Sequence, residues 1–104
     1  MAEQAIGQEA REYELVYIIQ PEMDESGILS LNERVAQMIG NHSGEVLTTE
    51  MWGRRTLAYP IKRNFEGHYV MQRFTMLPDG TEEIERFLRL NEDVIRYLMS
   101  RRSA

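Results

Sequence analysis

The chain has no cysteine, so it forms no disulfide, carries no thiol nucleophile and builds no thiolate zinc site. That usage fits a reducing, cytoplasmic setting. No apolar run is long enough to cross a bilayer, and the opening MAEQAIGQEAREYE lacks the basic-then-apolar layout of a signal peptide. No glycine-rich phosphate loop is present. His42 and His68 stand far apart, without metal-ligand spacing. Lysine is nearly missing as well: Lys62 is the exception among twelve basic residues. Arginine's planar fork suits phosphate, although heat adaptation or compositional bias would give the same excess. The 104 residues allow one domain with one modest core, and the 42 % hydrophobic content is that of a globular chain.

Charge is unevenly placed. Residues 1–50 hold ten acids and two bases, whereas residues 51–104 hold seven acids and ten bases; the net values of −8 and +3 sum to the overall −5. The segment MWGRRTLAYPIKR, residues 51–63, carries Arg54, Arg55, Lys62 and Arg63 and no carboxylate. A positive, partly aromatic stretch in an acidic chain is the sequence's main anomaly.

Hydrophobic periodicity orders the elements. YELVYII reads as a central strand, with Leu15, Tyr17 and Ile19 on one face and Val16 and Ile18 on the other. Asp24 is placed to cap a helix whose stripe is Ile28, Leu31, Val35, Met38 and Ile39, and Gly44 fits its close. EVLTTEMW begins a second strand that runs toward Ile61, with a bulge or bend expected at Gly53. RNFEG, residues 63–67, reads as a turn and HYVMQRFTML as a third strand. After PDG a short helix turns Ile84, Phe87 and Leu88 inward, and Asp79 and Glu82 have capping-box spacing. LNED turns the chain into a last strand, VIRYLM. The order β-α-β-β-α-β is the α+β, ferredoxin-like split βαβ arrangement: a four-stranded antiparallel sheet with both helices on one face. Residues 1–12 are expected to form a flexible polar leader and residues 13–104 a single domain.

On that layout the basic window lies on an edge strand. Charge, glycine and proline there would blunt the edge against self-association. Equally, Trp52, Leu57 and Tyr59 would offer apolar contact to a partner while the basic pairs meet phosphate. Arg96, on the opposite edge strand, would add to the same surface.

The wording of three segments separates these readings. WGRRTLAYPIKR resembles the most recognisable stretch of the bacterial small-ribosomal-subunit protein six family. LRLNEDVIRYLM resembles that family's turn into its last strand, and YELVYIIQPEMDE its opening. The resemblance runs from about Tyr13 to Arg101, in register with every element above. It departs at Thr56, where the family usually has a base, and at His68, where an aromatic is common. The leader is longer than usual, and the C-terminus, SRRSA, has no acidic tail.

The resemblance implies a structural ribosomal protein, not an enzyme, with no cofactor. It implies heterodimer formation with small-subunit ribosomal protein eighteen, and binding of the pair to the central domain of the small-subunit rRNA during assembly. Arg54, Arg55, Lys62, Arg63 and Arg96 are then the expected RNA contacts, and Trp52, Leu57 and Tyr59 the expected partner contacts. A chain of net −5 is a poor autonomous RNA binder, because non-specific affinity comes from neutralised phosphates, so a basic partner fits. FEGHYVMQRF lacks the spacing of an RNA-recognition motif, which argues against base stacking on the open sheet. The loop QPEMDE would repel an anion, which argues against a phosphatase. A ferredoxin-like regulatory module for small molecules is the remaining rival, on fold analogy alone.

Overall fold

The computed structural model describes residues 9–102. Its elements are β1 (Arg11–Ile19), α1 (Glu25–Asn41), β2 (Glu45–Ile61), β3 (Asn64–Met76), a 3-10 turn (Pro78–Gly80), α2 (Thr81–Leu90) and β4 (Val94–Arg101). The strands form one antiparallel sheet in the order β2-β3-β1-β4. Both helices lie on one face, and the expected ferredoxin-like topology is realised.

Strand alternation builds the core. Tyr13, Leu15, Tyr17 and Ile19 leave β1 on the helix side and meet Val70, Phe74 and Met76 of β3. Ile28, Leu31, Val35 and Ile39 close over them from α1, as Ile84 and Leu88 do from α2. Phe87 is only half-buried and lies under the Arg34 guanidinium, 5.0 Å from its ring centre. Tyr17 places a phenol in this core, where its hydroxyl donates to Asn32 Oδ1; burial pushes its pKa well above the usual value.

Four local expectations are corrected. β1 begins at Arg11, so Arg11 and Glu12 belong to the sheet and not to a leader; the rest of that expectation, residues 1–8, lies outside the described residues. Asp24 caps α1 as expected, accepting from Gly27 N–H at 2.8 Å, but the left-handed residue after the helix is Ser43 (φ 59°), not Gly44. Asp79 and Glu82 form no capping box: the 3-10 turn precedes α2, Gly80 occupies the N-cap and no side chain caps it. The β2–β3 turn is not RNFEG but the two residues Lys62 and Arg63, both at positive φ (49° and 69°), with Ile61 paired to Asn64. That is the hand a two-residue hairpin needs to match strand twist, and it normally recruits Asn or Gly. Asn64 supports it, its Nδ2 donating to the Lys62 carbonyl at 3.1 Å.

Candidate functional site

The face of the sheet away from the helices is open, and the pairing register writes its contents row by row. At one end Glu12 and Glu14 of β1 lie opposite Thr75 and Arg73 of β3. Arg73 and Arg102 both reach Glu12, at 2.8 and 3.3 Å, and Arg102 also approaches Glu14. The hydrogen bond from Arg73 holds the Glu12 carboxyl below its usual range, against the opposing pull of desolvation. This end is an ionic lattice whose charges are already matched.

The middle rows are apolar. Val16 lies between Met71 and Leu98, and Ile18 between Tyr69 and Arg96. Trp52 joins them through a bulge: Met51 pairs with Val70 and Gly53 with Tyr69, leaving Trp52 unopposed. Gly53 has φ 88°, which explains glycine at this position and fulfils the bend expected there. Trp52 stacks on Tyr69 (6.3 Å between ring centres) and donates its indole N–H to Glu50 at 2.8 Å. The expectation that it belongs to the exposed edge holds, and its ring faces away from the helices.

A second irregularity shapes the far end. Thr56 pairs with Glu66 and Ile61 with Asn64, so Leu57–Pro60 face a single residue of β3 and leave the ladder. This excursion folds onto the open face. Leu57 is only 6 % exposed there, packed with Ile18 and Ile95. It was expected to be offered to a partner; instead it pins the arm to the sheet. Tyr59 is 57 % exposed and accepts a hydrogen bond from Arg96 Nη1 at 2.7 Å. Gly67 leaves room for Ile18 beneath the arm, since a Cβ there would stand 2.4 Å from Ile18 Cγ2. Between the excursion and the sheet lies a hollow of about 290 Å³, lined by Val16, Ile18, Tyr59, Tyr69 and Leu98 among others.

The five expected RNA contacts separate by face. Arg55 pairs with Gly67 and lies on the open side, its guanidinium 5.4 Å from the Trp52 ring centre. Arg96 shares that side, across the sheet from Trp52. Lys62 and Arg63 are exposed at the hairpin tip. Arg54 alone points to the opposite side, where its Nε donates to Glu66. Thr56 shares Arg54's side, so the base that the family usually has there would not have faced outward on the open surface. Among the described residues, Arg55, Lys62, Arg63 and Arg96 have no carboxylate within ion-pair distance, whereas Arg54, Arg73 and Arg102 do.

Sequence reasoning missed Leu98 and Tyr69 as open-face residues. Leu98 is 65 % exposed, and its face could not be assigned because Ile95 is an extra residue in β4: Ile18 pairs with Arg96 but Ile19 with Val94. That bulge shifts the alternation of the strand by one.

An open, graded sheet face, with paired acids at one end and cations without an ion-pair partner at the other, is the surface of a binding protein. No group of acids and histidines among the described residues is arranged to hold a metal, and no described helix is long and apolar enough to span a membrane. The ribosomal protein S6 family model matches residues 12–101. The chain is 40 % identical over 91 residues to small ribosomal subunit protein bS6 of Caldanaerobacter subterraneus, covering 88 % of this chain and 96 % of the relative. It is 41 % identical over 90 residues to that of Dictyoglomus turgidum, covering 86 % and 93 %. The crystal structure of 30S ribosomal protein S6 from Thermotoga maritima superposes with a TM-score of 0.84 at 34 % identity, covering 90 % of this chain and 89 % of that one. The chain belongs to the ribosomal protein S6 family, and its role is that of a structural constituent of the small ribosomal subunit in the cytoplasm.

Proposed function

We propose that this protein binds the central domain of the small-subunit rRNA as a heterodimer with small-subunit ribosomal protein eighteen, and that the open sheet face is the shared surface. The observation that carries this reading is a juxtaposition. Exposed Trp52, Tyr59 and Leu98 form an apolar band that runs into Arg55, Lys62, Arg63 and Arg96, cations with no carboxylate within ion-pair distance among the described residues. Apolar area of that kind is the usual core of a protein contact, and free arginines at its rim suit phosphate. With an overall charge of −5, RNA affinity depends on keeping those cations local and on a partner that adds more. Arg54 is the weakest of the five proposed contacts, since it must first leave Glu66.

The rival small-molecule reading gains little from the hollow. At about 290 Å³ and open to solvent, it sits at the bottom of the size range of ligand pockets and suits a protruding side chain better.

The test is a titration of central-domain RNA with the heterodimer at several salt concentrations. Arg55→Ala, Lys62→Ala, Arg63→Ala and Arg96→Ala should each weaken binding and lower the salt slope by up to about one. Trp52→Ala and Tyr59→Ala should weaken heterodimer formation by about 1–3 kcal/mol with little change in salt slope. Unchanged RNA affinity in all four basic variants would sink the reading, and self-association appearing in its place would assign these cations to edge protection.

A further inference from the structure

The exposed hairpin tip borders a hollow on one side. Lys62 returns over the end of the sheet and lines one hollow with Arg89, near the end of α2, and Arg96 of β4. The hollow measures about 390 Å³ and its floor is Leu88, Val94 and Ile95. Three cationic residues from three separate segments, the hairpin tip, α2 and β4, therefore border one partly apolar concavity. None has an acid within ion-pair distance among the described residues, and the one hydrogen bond made by Arg96 is to the neutral Tyr59 hydroxyl.

Cationic residues without an acid partner around one hollow ask for a cause. The tip is also held in an unfavourable conformation: Lys62 and Arg63 both occupy the left-handed region that side chains with a Cβ resist. Arg89 borders a second hollow lined by His42, Asp79, Glu82, Glu83 and Glu85. Its four carboxylates outnumber its two arginines, Arg86 and Arg89, so that side is the less favourable one for an anion.

The geometry points to a single-phosphate site: Lys62, Arg89 and Arg96 together hold one phosphodiester of the bound RNA. This rests on the reading of the chain as an RNA-binding protein and adds to it Arg89, which lies outside the basic window and on a helix. The apolar floor lowers the local dielectric, which strengthens each contact. The two arginines supply planar forks, and Lys62 a point charge.

Lys62 is the chain's single lysine, which makes the site directly observable. Reductive methylation with carbon-13 formaldehyde labels its Nζ, besides the N-terminal amine, and keeps the charge. In the full chain at constant ionic strength, inorganic phosphate should move the Lys62 methyl resonance saturably. Arg89→Ala should weaken that response about tenfold, the expected effect of losing one charged hydrogen-bonding partner. Arg86→Ala, on the same helix but lining other hollows, should leave it intact. In the second arm, the unlabelled heterodimer is titrated with central-domain RNA, where Arg89→Ala should weaken binding about tenfold and Arg86→Ala should not; the slope should fall by less than one, since Lys62 and Arg96 still meet the same phosphate. No saturable shift, or equal effects of the two substitutions, overturns the site. A phosphate response that needs Arg89, beside an unchanged RNA affinity, overturns the assignment to RNA. A wild-type complex that ignores the RNA defeats the proposed function, while the phosphate titration still decides whether the hollow holds an anion.

Discussion

Adjacent residues of the same strands make two quite different surfaces. On β1, Tyr13, Leu15, Tyr17 and Ile19 face the helices and are at most 5 % exposed. Their neighbours Glu12, Glu14, Val16 and Ile18 face outward and pass from acidic to apolar along a few residues. The helix face has one constraint, close packing, and fills with aliphatic and aromatic side chains. The open face is free of that constraint over most of its area, so its sequence carries a gradient: matched ions, then aromatic and aliphatic groups, then free cations. Period-two alternation thus lets one strand specify a core and a recognition surface independently.

The sharpest break in this comparison is a cavity on the helix face. Phe74 is fully buried and stacks on Tyr13 with ring centres 5.7 Å apart. Phe74→Ala should lower unfolding free energy by about 3–5 kcal/mol in a urea titration. A loss under about 1 kcal/mol would mean that the helix face is not the main core.

Leu57 tests whether the open face is purely a recognition surface. Because it is buried against Ile18 and Ile95, Leu57→Ala should cost about 2 kcal/mol, the low end for an aliphatic truncation, since only one layer covers it. Amide exchange across residues 64–67 should quicken at the same time, as the arm loosens. Unaltered stability would return Leu57 to the partner-contact set.

The buried phenol gives the helix face an alkaline pH signature, whereas the lowered carboxyl of Glu12 puts that of the open face on the acid side. Burial raises the pKa of Tyr17 in the folded state above its ordinary value of 10.0. Its contribution is fully present below pH 10, where both states hold the proton. Above that, the unfolded state releases the proton first, and stability falls by up to about 1.4 kcal/mol per pH unit. Chemical denaturation between pH 9 and 11 should show this slope, and Tyr17→Phe should flatten it.

The smallest expected effect has opposite signs in two assays. Arg63 sits at φ 69°, a conformation that glycine adopts freely. Arg63→Gly should raise stability by about 0.5–1 kcal/mol, the relief of the left-handed residue less the added freedom of the unfolded chain. On the proposed function it should also lower the RNA salt slope by about one. A variant both more stable and undiminished in salt slope would remove Arg63 from the phosphate contacts.

Much of the architecture was legible because its signals are local. The stripe Ile28, Leu31, Val35, Ile39 has helical spacing, Asp24 is a good capping residue, and the strands alternate; all appear as expected. The family resemblance was legible because WGRRTLAYPIKR and LNEDV are contiguous strings, and the family match spans the same region. What was not legible depends on register. Leu57 looks like any apolar strand residue until four residues leave the ladder and fold over the sheet. Leu98 could not be given a face without knowing that Ile95 is inserted. The Lys62–Arg63 turn defies the composition rule for such turns, so RNFEG, richer in turn formers, was the better guess. Arg89 gave no signal at all, because only the returning tip brings Lys62 beside it.

The hairpin tip at Lys62 also divides the chain into two βαβ-type halves, and the three ladders of the sheet each join one half to the other: β1 to β3, β1 to β4, and β2 to β3. Neither half holds a hydrogen-bonded strand pair of its own. A protease specific for lysine has a single cleavage site in this chain, at that exposed tip. Once cut there, the two fragments would remain interleaved as a non-covalent complex, and each alone would be without a sheet. The protein is thereby suited to fragment complementation, with reassembly and folding being one and the same event.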